Sequence, residues 1–480
     1  IIVLILCICI INITYAKVFK GSLNYGMHKN LLLKTASAKT DDLRITQKLD
    51  HFEPTDQRTW KQRYFVNTDA WQAKGKKKIV FFILGGEGPM SSKYVNDYFV
   101  VSQLAKEHGA LVVSVEHRFY GASNPLPTLN NDALKYLSSE QALADFAAAR
   151  VQIVDNYFGK QEKPQDVKVV AFGGSYSGNL AAWIVQRYGH LFVGSIAASA
   201  PVEATVPFTE YMDVVSNSLP ASCNQKVKEA TEEMEKMMET AEGRSTLSKK
   251  FNTCKPVTNN SEDDVATFFS SLTDPICGVV QYNLDNKPGL VNITAMCKTI
   301  EGASSAIDGY AAAVKQIEGD SCIISTFEKY MYDLQNTLTF DQGNNAAAMR
   351  SWIYQTCTEF GYYQFTDRTH QKQPFSKYLT LDWFKKQCTL GFNIPQETLE
   401  ASIDATNMVY GARYPVNNPN IFYSYGTIDP WHYLQVNNGD KHVMEGTAHC
   451  AILYPEGPAD LPSLTSTRKL MRNHLSKLLQ

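Results

Sequence analysis

The sequence has little net charge and few residues that interrupt regular structure. Its 480 residues carry 46 Lys and Arg against 48 Asp and Glu, which gives a net charge of -2. A balanced surface produces no strong field, so neither nucleic acid nor an anionic membrane is expected as a partner. Only 28 Gly and 19 Pro accompany 44% hydrophobic residues, a composition that excludes a disordered or fibrous protein and predicts a globular one.

Cysteines with metal-binding spacing are also missing. No Cys-x-x-Cys and no Cys/His pair with zinc spacing occurs, so no metal site is predicted. Two of the ten cysteines lie in the first 16 residues. The other eight form an even number, which in a secreted chain predicts up to four disulfides of unknown pairing. These eight are Cys223, Cys254, Cys277, Cys297, Cys322, Cys357, Cys388 and Cys450.

Long apolar runs are absent beyond the N-terminus, where a membrane span would need about 20 residues. Residues 1–13 are almost entirely apolar and are followed by Thr14-Tyr15-Ala16, the pattern of a secretory signal. We expect residues 1–16 to be a signal peptide, with the sequence starting slightly late, and the mature protein to be secreted or lysosomal. The sequons at Asn259 and Asn292 are predicted glycosylation sites.

The first half of the chain alternates short apolar runs with helical patterns. Residues 79–84, 110–115, 167–172 and 191–196 are predicted strands, and near-continuous apolar strands are typical of a parallel sheet buried on both faces. Between the second and third strands, Ser138-x-x-Gln141 predicts a capping box that opens a helix. This alternation predicts an α/β fold with βαβ crossovers.

The cysteines mark a boundary, because seven of the eight lie between residues 223 and 388. Helical spacing dominates this block, and strand patterns return at residues 420–425 and 441–444. We therefore predict an α/β core in two parts, residues 17–202 and 416–480. A helical, disulfide-braced cap is predicted to interrupt it at residues 203–415.

The strongest chemical signal is a Gly-rich turn that follows the third predicted strand. Gly173-Gly174-Ser175-Tyr176-Ser177-Gly178 stands between a strand and a helix, the context of a nucleophile elbow. The strict G-x-S-x-G pattern fails because Ser177 occupies its last glycine position. Ser177 is thus a competing nucleophile, and an ordinary strand-to-helix turn is the alternative interpretation.

A serine nucleophile needs a histidine base and an orienting carboxylate, which follow it in the order Asp, His in α/β hydrolases. Asp429 and His449 both come just after predicted strands. His432 is too close to Asp429 to lie on a separate loop, and His442 falls within a strand. His449 is therefore the predicted base.

The loop at residues 85–89 follows the first predicted strand and is neither a Walker loop nor a dinucleotide fingerprint, so no cofactor is predicted. Its Gly86 N–H, together with the N–H of Tyr176, could form an oxyanion hole. A plain turn is the alternative. Residues 116–118 carry charges that we interpret as buried scaffold.

Many ordered motifs match one known family. They are residues 49–52, 85–89, 116–121, 137–145, 173–183, 197–201, 352–359 and 429–431. On these motifs the chain resembles the S28 family of serine peptidases, the group of lysosomal Pro-X carboxypeptidase, dipeptidyl peptidase II and thymus-specific serine protease. Residues 354–361 and 446–450 look most like the thymus-specific branch. Ile452 departs from the pattern, since an acidic residue is expected shortly after the histidine.

The resemblance implies an α/β-hydrolase core with a helical cap, and Ser175, Asp429 and His449 as the catalytic triad. It also implies a serine exopeptidase that cleaves peptides next to proline near a terminus. We expect Trp431 and Tyr176 to suit a proline ring. Glu359 is the candidate partner of a free amino group, with a structural hydrogen-bonding role as its alternative.

Other functions remain open from sequence alone. The same fold and triad would serve a capped esterase or lipase, because the fold does not determine the acyl group. A non-catalytic hydrolase-fold binding protein is a third interpretation, which the intact triad disfavours. The sequence leaves open a homodimer and does not distinguish amino-terminal from carboxy-terminal cleavage.

Overall fold

The computed structural model describes residues 42–283, 291–340, 345–366 and 373–480, so the predicted signal peptide lies outside the described residues. One sheet of eight strands forms the centre, in the order β1-β2-β4-β3-β5-β6-β7-β8. β1 pairs with β2 and β2 with β4 in antiparallel fashion, and the remaining neighbours are parallel. The strands are β1 (Leu43–Lys48), β2 (Thr59–Asn67), β3 (Ile79–Leu84), β4 (Leu111–Val115), β5 (Lys168–Gly174), β6 (Gly194–Ala198), β7 (Ile421–Gly426) and β8 (Asp440–Met444).

Helices cover both faces of the sheet and fill the long connection between β6 and β7. The helices of the core are α1 (Asp69–Ala73), α2 (Val101–His108), α3 (Asn131–Leu134), α4 (Ser139–Phe158) and α5 (Tyr176–Tyr188). Those between β6 and β7 are α6 (Glu210–Ser218), α7 (Ala221–Met238), α8 (Ala241–Lys250), α9 (Glu262–Gln281), α10 (Ile293–Glu301), α11 (Ala306–Glu318), α12 (Phe327–Asn336), α13 (Asn345–Gln355), α14 (Leu381–Phe392) and α15 (Glu397–Tyr410). The chain then ends in α16 (Pro462–Leu478), and within the described ranges no helix is both long and apolar enough to cross a membrane.

The parallel strands are apolar throughout because each face of the sheet is buried. In β3, Val80 and Phe82 pack into the core under α4 and α5, while Phe81 and Ile83 pack on the opposite side with α2 and α16. Successive side chains of a strand point to opposite faces, so one run of six apolar residues serves two cores. The prediction of a buried parallel sheet is confirmed.

The predicted strand at residues 191–196 is wrong at its start. The N–H groups of Leu191 and Phe192 both bond to the Tyr188 carbonyl in the turn after α5, so these residues cannot join the ladder. β6 begins only at Gly194. The apolar patterns also did not predict β1 and β2, because their inward side chains include the polar Gln62.

The helix predicted after Ser138 is α4, but its capping box is only half formed. The Ser138 side chain accepts from the Gln141 N–H, as a capping residue does. The Gln141 side chain does not return to the helix start. It donates to Asp50 Oδ1 (2.6 Å) and accepts from the His51 N–H (3.0 Å). Gln141 therefore ties the N-terminal segment to the core.

Three disulfides brace the helical block between β6 and β7. They join Cys223 to Cys297, Cys254 to Cys322 and Cys357 to Cys388. All six of these cysteines fall inside the predicted cap, and α9 of this block shares one hydrophobic core with the sheet. The fold is an α/β core with a helical, disulfide-braced insertion, as predicted.

The expectation of a fourth disulfide is wrong, because Cys277 and Cys450 are both free and buried. Cys277 lies on α9 with its Sγ 3.8 Å from the Met212 Sδ. Cys450 follows β8, and its Sγ lies against Gly174. A Cβ built on that glycine would be only 2.7 Å from the Sγ. The two thiols therefore face different surroundings and form no bond with each other.

Candidate active site

Ser175 occupies a sharp turn between β5 and α5. Its φ of 62° and ψ of -134° lie in a region that L residues rarely adopt, and its N–H donates to the Ala198 carbonyl (3.0 Å). The neighbouring backbones are very close, since a Cβ on Gly173 would lie 1.9 Å from the Ser177 carbonyl oxygen. This is the geometry of the nucleophile elbow that the sequence predicted.

The competing hydroxyl of Ser177 is already engaged. Its Oγ donates to the Leu84 carbonyl at 2.6 Å, which ties the start of α5 to the end of β3. Ser175 makes no such bond among the described residues, and it lines a cavity together with His449. The structure therefore leaves Ser175 as the hydroxyl available for chemistry.

Asp429 and His449 form a buried pair beside this turn. His449 Nδ1 lies 2.9 Å from Asp429 Oδ1, and the two side chains are 1% and 0% exposed. Asp429 Oδ1 also accepts from the Trp431 N–H (3.0 Å), which fixes the carboxylate at the start of a 3₁₀ turn. His449 Nε2 is buried and has no hydrogen-bond partner in the described part of the chain. That nitrogen is free to accept a proton from a group in the cavity.

The electrostatics of the pair follow from burial and charge. Burial disfavours the imidazolium form of His449, but the Asp429 carboxylate, with a further contribution from the neighbouring Cys450, outweighs this and raises the pKa of His449 well above its usual value. The carboxylate thereby makes the imidazole a stronger base.

The other histidines near the pair have different roles. His432 Nδ1 lies 2.6 Å from the Asp429 backbone carbonyl, within the same turn as that residue. His442 lies in β8 and stacks on Phe422 with ring centroids 4.4 Å apart. Neither is among the residues that line the cavity, so the preference for His449 agrees with the geometry.

The glycine loop after β3 lies against the serine turn. The Gly85 N–H continues the sheet by donating to the Val115 carbonyl (2.8 Å). Gly86 is so near the start of α5 that an added Cβ would be 3.2 Å from the Ser177 Cβ. Tyr176 is the first residue of α5, so its N–H has no partner within the helix. Gly86 therefore lies against the serine turn, and the Tyr176 N–H next to Ser175 has no partner within the helix.

A mostly apolar cavity opens in front of Ser175 and His449. Its aromatic walls are Tyr94, Phe99, Phe172, Tyr282 and Tyr454. Tyr282 comes from the insertion, directly after α9, whereas the others belong to the core. A pocket lined by aromatic side chains with a few polar groups is typical of a small-ligand site.

The structure places Glu359 away from this cavity, which overturns its proposed role toward a substrate. Its Oε1 accepts from the N–H and Oγ of Ser139 (2.8 and 2.6 Å), and its Oε2 accepts from Gln355 Nε2 (2.8 Å). Gln355 Nε2 also donates to the Tyr176 hydroxyl (3.1 Å). Glu359 therefore has the structural role that was its alternative, behind Tyr176.

Trp431 is likewise not among the residues that line the cavity. Its ring lies near His449, with centroids 6.5 Å apart, but it is only 8% exposed. Its Nε1 donates to Gln281 Oε1 (2.9 Å), and the ring packs on Phe208 and Tyr211. The Tyr176 side chain is also not among the lining residues. Its ring is buried against Trp352, and its hydroxyl lies 3.0 Å from His117 Nε2. Both aromatic side chains support the site from behind.

Two residues of the site were missed by the sequence reading. Glu87 lines the cavity as part of the glycine loop, in which the sequence pattern indicated only a backbone N–H donor. Gln281 accepts the His449 N–H on its carbonyl (2.9 Å), so the insertion directly holds the loop of the histidine. Sequence carries no signal for this contact, since residues 281 and 449 are far apart in the chain.

Ile452, where an acidic residue was expected, is buried in the core beside α16. The loop gains its support from elsewhere. The Cys450 N–H donates to Ser199 Oγ (2.8 Å), and Arg468 donates to the carbonyls of Ala451 and Tyr454 (3.1 and 2.6 Å). The His449 loop is therefore fixed without the acidic residue.

The sheet order, the serine turn after β5 and the Asp–His pair after β7 and β8 define an α/β hydrolase with a helical insertion. The family model described as serine carboxypeptidase S28 matches residues 47–471, so the chain belongs to this family of serine peptidases. It is a hydrolase, as the resemblance predicted.

Named relatives agree with this membership. The thymus-specific serine protease of Homo sapiens is 32% identical over 459 residues, which cover 91% of this chain and 85% of the relative. The lysosomal Pro-X carboxypeptidase of Mus musculus is 29% identical over 419 residues, covering 81% and 78%. Among solved structures, the proline iminopeptidase of Mycobacterium smegmatis is 13% identical over 87% of this chain and 95% of its own, with a TM-score of 0.38.

Proposed function

We propose that this protein is a serine exopeptidase that cleaves next to proline near a peptide terminus, through an acyl-enzyme formed on Ser175. The observation that carries the proposal is the free Nε2 of a buried, Asp429-paired His449 in the cavity that Ser175 also lines. A histidine so placed is the general base that activates a serine hydroxyl.

The steps follow from the positions of these groups. Ser175 Oγ attacks the scissile carbonyl carbon, and its proton moves to His449 Nε2. The N–H groups of Gly86 and Tyr176 stabilise the oxyanion of the tetrahedral intermediate. His449 then gives the proton to the leaving amine, and an acyl-enzyme remains. Water, deprotonated by His449, releases the acyl group and restores Ser175, while Asp429 stabilises the imidazolium throughout.

The preference for termini and for proline is supported by the shape of the cavity. Tyr282 reaches the cavity from the insertion, and such a cover restricts the length of chain that can pass. The aromatic walls offer flat apolar surfaces that suit a pyrrolidine ring. The name of one relative, lysosomal Pro-X carboxypeptidase, agrees with a proline-directed substrate.

We further propose that the protein acts in the secretory pathway, as a secreted or lysosomal glycoprotein. Three disulfides require an oxidising compartment, and the apolar N-terminal run predicts a signal peptide. Asn259 is exposed, as a glycosylated side chain must be, and Asn292 is partly exposed at the start of α10.

The test uses the purified, glycosylated protein and peptides with proline second or next to last, followed by mass spectrometry at acidic and neutral pH. Ser175→Ala removes the nucleophile, and Ser245→Ala, on the exposed side of α8, is the matched control. We expect release of a terminal fragment by the wild type and the control, with a loss of about 10⁶-fold in kcat for Ser175→Ala. Equal cleavage by Ser175→Ala would contradict the mechanism, and far faster turnover of simple esters than of every proline peptide would contradict the substrate class.

A further inference from the structure

We infer that Glu87 binds the free amino group of a peptide substrate and thereby directs cleavage to amino termini. This inference rests on the peptidase activity proposed above and specifies the terminus that is read. Glu87 is one of the residues that line the cavity in front of Ser175.

Glu87 lies beside the reacting groups. It directly follows Gly86, the predicted oxyanion donor, and it lines the same cavity as Ser175 and His449. It is near enough to His449 for their charges to interact, and the same is true of Tyr94 and Tyr282 in the cavity walls. A substrate group held by Glu87 would therefore be held close to the scissile bond.

The charges around the cavity favour a cation. Glu87 is the single Asp or Glu among the described residues that line the cavity, and no Lys or Arg is among those residues. The partly buried Arg63 behind the wall is already committed: it pairs with Glu116 (2.5 Å) and donates to the Met90 carbonyl (3.0 Å). Within the described residues, Glu87 forms no ion pair with Lys or Arg. The nearby His449 is already paired with Asp429 (2.9 Å), so a ligand could supply the cationic partner that Glu87 lacks.

The two termini of a peptide would meet this cavity differently. A terminal carboxylate needs Arg, Lys or several N–H donors, and here it would meet the negative charge of Glu87 with no Lys or Arg among the described lining residues. A terminal ammonium would form a charge-assisted hydrogen bond with Glu87 between apolar walls. Burial raises the pKa of Glu87 and so favours its protonated form. A bound ammonium ion would favour the charged carboxylate instead.

The size of the preference follows from one charged hydrogen bond. Such a bond contributes enough to favour the free amine by about 10- to 100-fold over a neutral amide at the same position. N-acetylation removes the charge while leaving proline and the scissile bond unchanged. Glu87→Gln removes the negative charge while keeping the side-chain length.

The experiment compares kcat/KM for one proline-second peptide with a free and with an N-acetylated amino terminus. We expect the wild type to prefer the free peptide by about 10- to 100-fold, and Glu87→Gln to show a ratio near one. Glu445→Gln, the same change on an exposed side chain outside the cavity, should keep the wild-type ratio. A wild type that does not distinguish the peptides, or a Glu87→Gln enzyme that still prefers the free one, would overturn the inference.

A binding measurement separates this inference from the peptidase proposal. Ser175→Ala protein, with and without Glu87→Gln, is titrated calorimetrically with the same two peptides. Tighter binding of the free peptide that disappears with Glu87→Gln supports amine recognition, even if no hydrolysis is found and the peptidase proposal fails. Equal affinity for both peptides overturns amine recognition, even if the wild type is an active peptidase. Fluorophosphonate labelling of Ser175 in the Glu87→Gln single variant shows that its site is folded.

Discussion

Gln281 connects the insertion to the loops that carry Asp429 and His449. Its replacement by Leu should lower both the stability of the protein and the reactivity of the site. It is the last residue of α9, and its carbonyl accepts the His449 N–H (2.9 Å). Its side-chain Oε1 accepts from Trp431 Nε1 (2.9 Å) and from the Tyr211 hydroxyl (2.8 Å). Gln281→Leu keeps the backbone bond but removes the acceptor shared by the two buried donors.

The expected cost can be worked from these two bonds. A buried donor left without an acceptor costs about 1–3 kcal/mol, so two of them lower the free energy of unfolding by about 2–6 kcal/mol. The Trp431 N–H holds the Asp429 carboxylate, so release of the Trp431 side chain allows the Asp–His pair to shift. A displacement of about 1 Å can cost about 100-fold in rate, so fluorophosphonate labelling should slow by about 10- to 100-fold.

The assay is denaturant unfolding of a double-mutant cycle, together with the rate of labelling. Trp431→Phe removes the indole N–H, so in the double variant with Gln281→Leu one of the stranded donors no longer exists. The double variant should therefore be about 1 kcal/mol more stable than the sum of the single changes predicts. Gln225→Leu on the exposed face of α7 is the control and should change little. Strict additivity within about 0.3–0.5 kcal/mol would refute the contact as the source of the cost.

Three further outcomes are expected. Asp429→Asn removes the charge that raises the pKa of His449, so the acid limb of kcat/KM should move to lower pH while kcat falls about 10⁴-fold; an unmoved limb would contradict the pairing. Burial raises the pKa of Asp274 well above 3.8, so the folded protein binds that proton more tightly than the unfolded chain and stability falls as the pH rises above 3.8. Melting temperatures of Asp274→Asn should decline less steeply between pH 4 and 7, and an unchanged slope would count against this. Replacing Cys357 and Cys388 by Ala opens a loop with a sequence separation of 31 residues, and the free energy of unfolding in denaturant should fall by about 4 kcal/mol. A negligible change would contradict this expectation.

Local patterns predicted the parts of the fold that local physics controls. The apolar run at residues 79–84 coincides with β3, because a strand buried on both faces leaves little room for polar residues. The glycines around Ser175 identified the elbow, because backbones in contact tolerate no larger side chain there. The order of Ser175, Asp429 and His449 along the chain then pointed to the residues that the structure brings together.

The rest depends on contacts between distant segments. Glu359 is a candidate substrate group by sequence because a free amino group needs a carboxylate, but Ser139 and Gln355 occupy its oxygens and give it the alternative, structural role. Eight cysteines predict up to four disulfides, yet Cys277 and Cys450 lie in different surroundings and stay free. No spacing in the sequence indicates such pairings, since they arise only when the insertion packs on the sheet.

The central claim is that Ser175 is the nucleophile activated by His449, and mass spectrometry of the fluorophosphonate-labelled protein tests it most directly. His449→Ala and the matched change of an exposed histidine, His190→Ala, are labelled in parallel. We predict one adduct, on the peptide that contains Ser175, in the wild type and in His190→Ala, and almost none in His449→Ala. An adduct on Ser177, or labelling of Ser175 that does not depend on His449, would contradict the account.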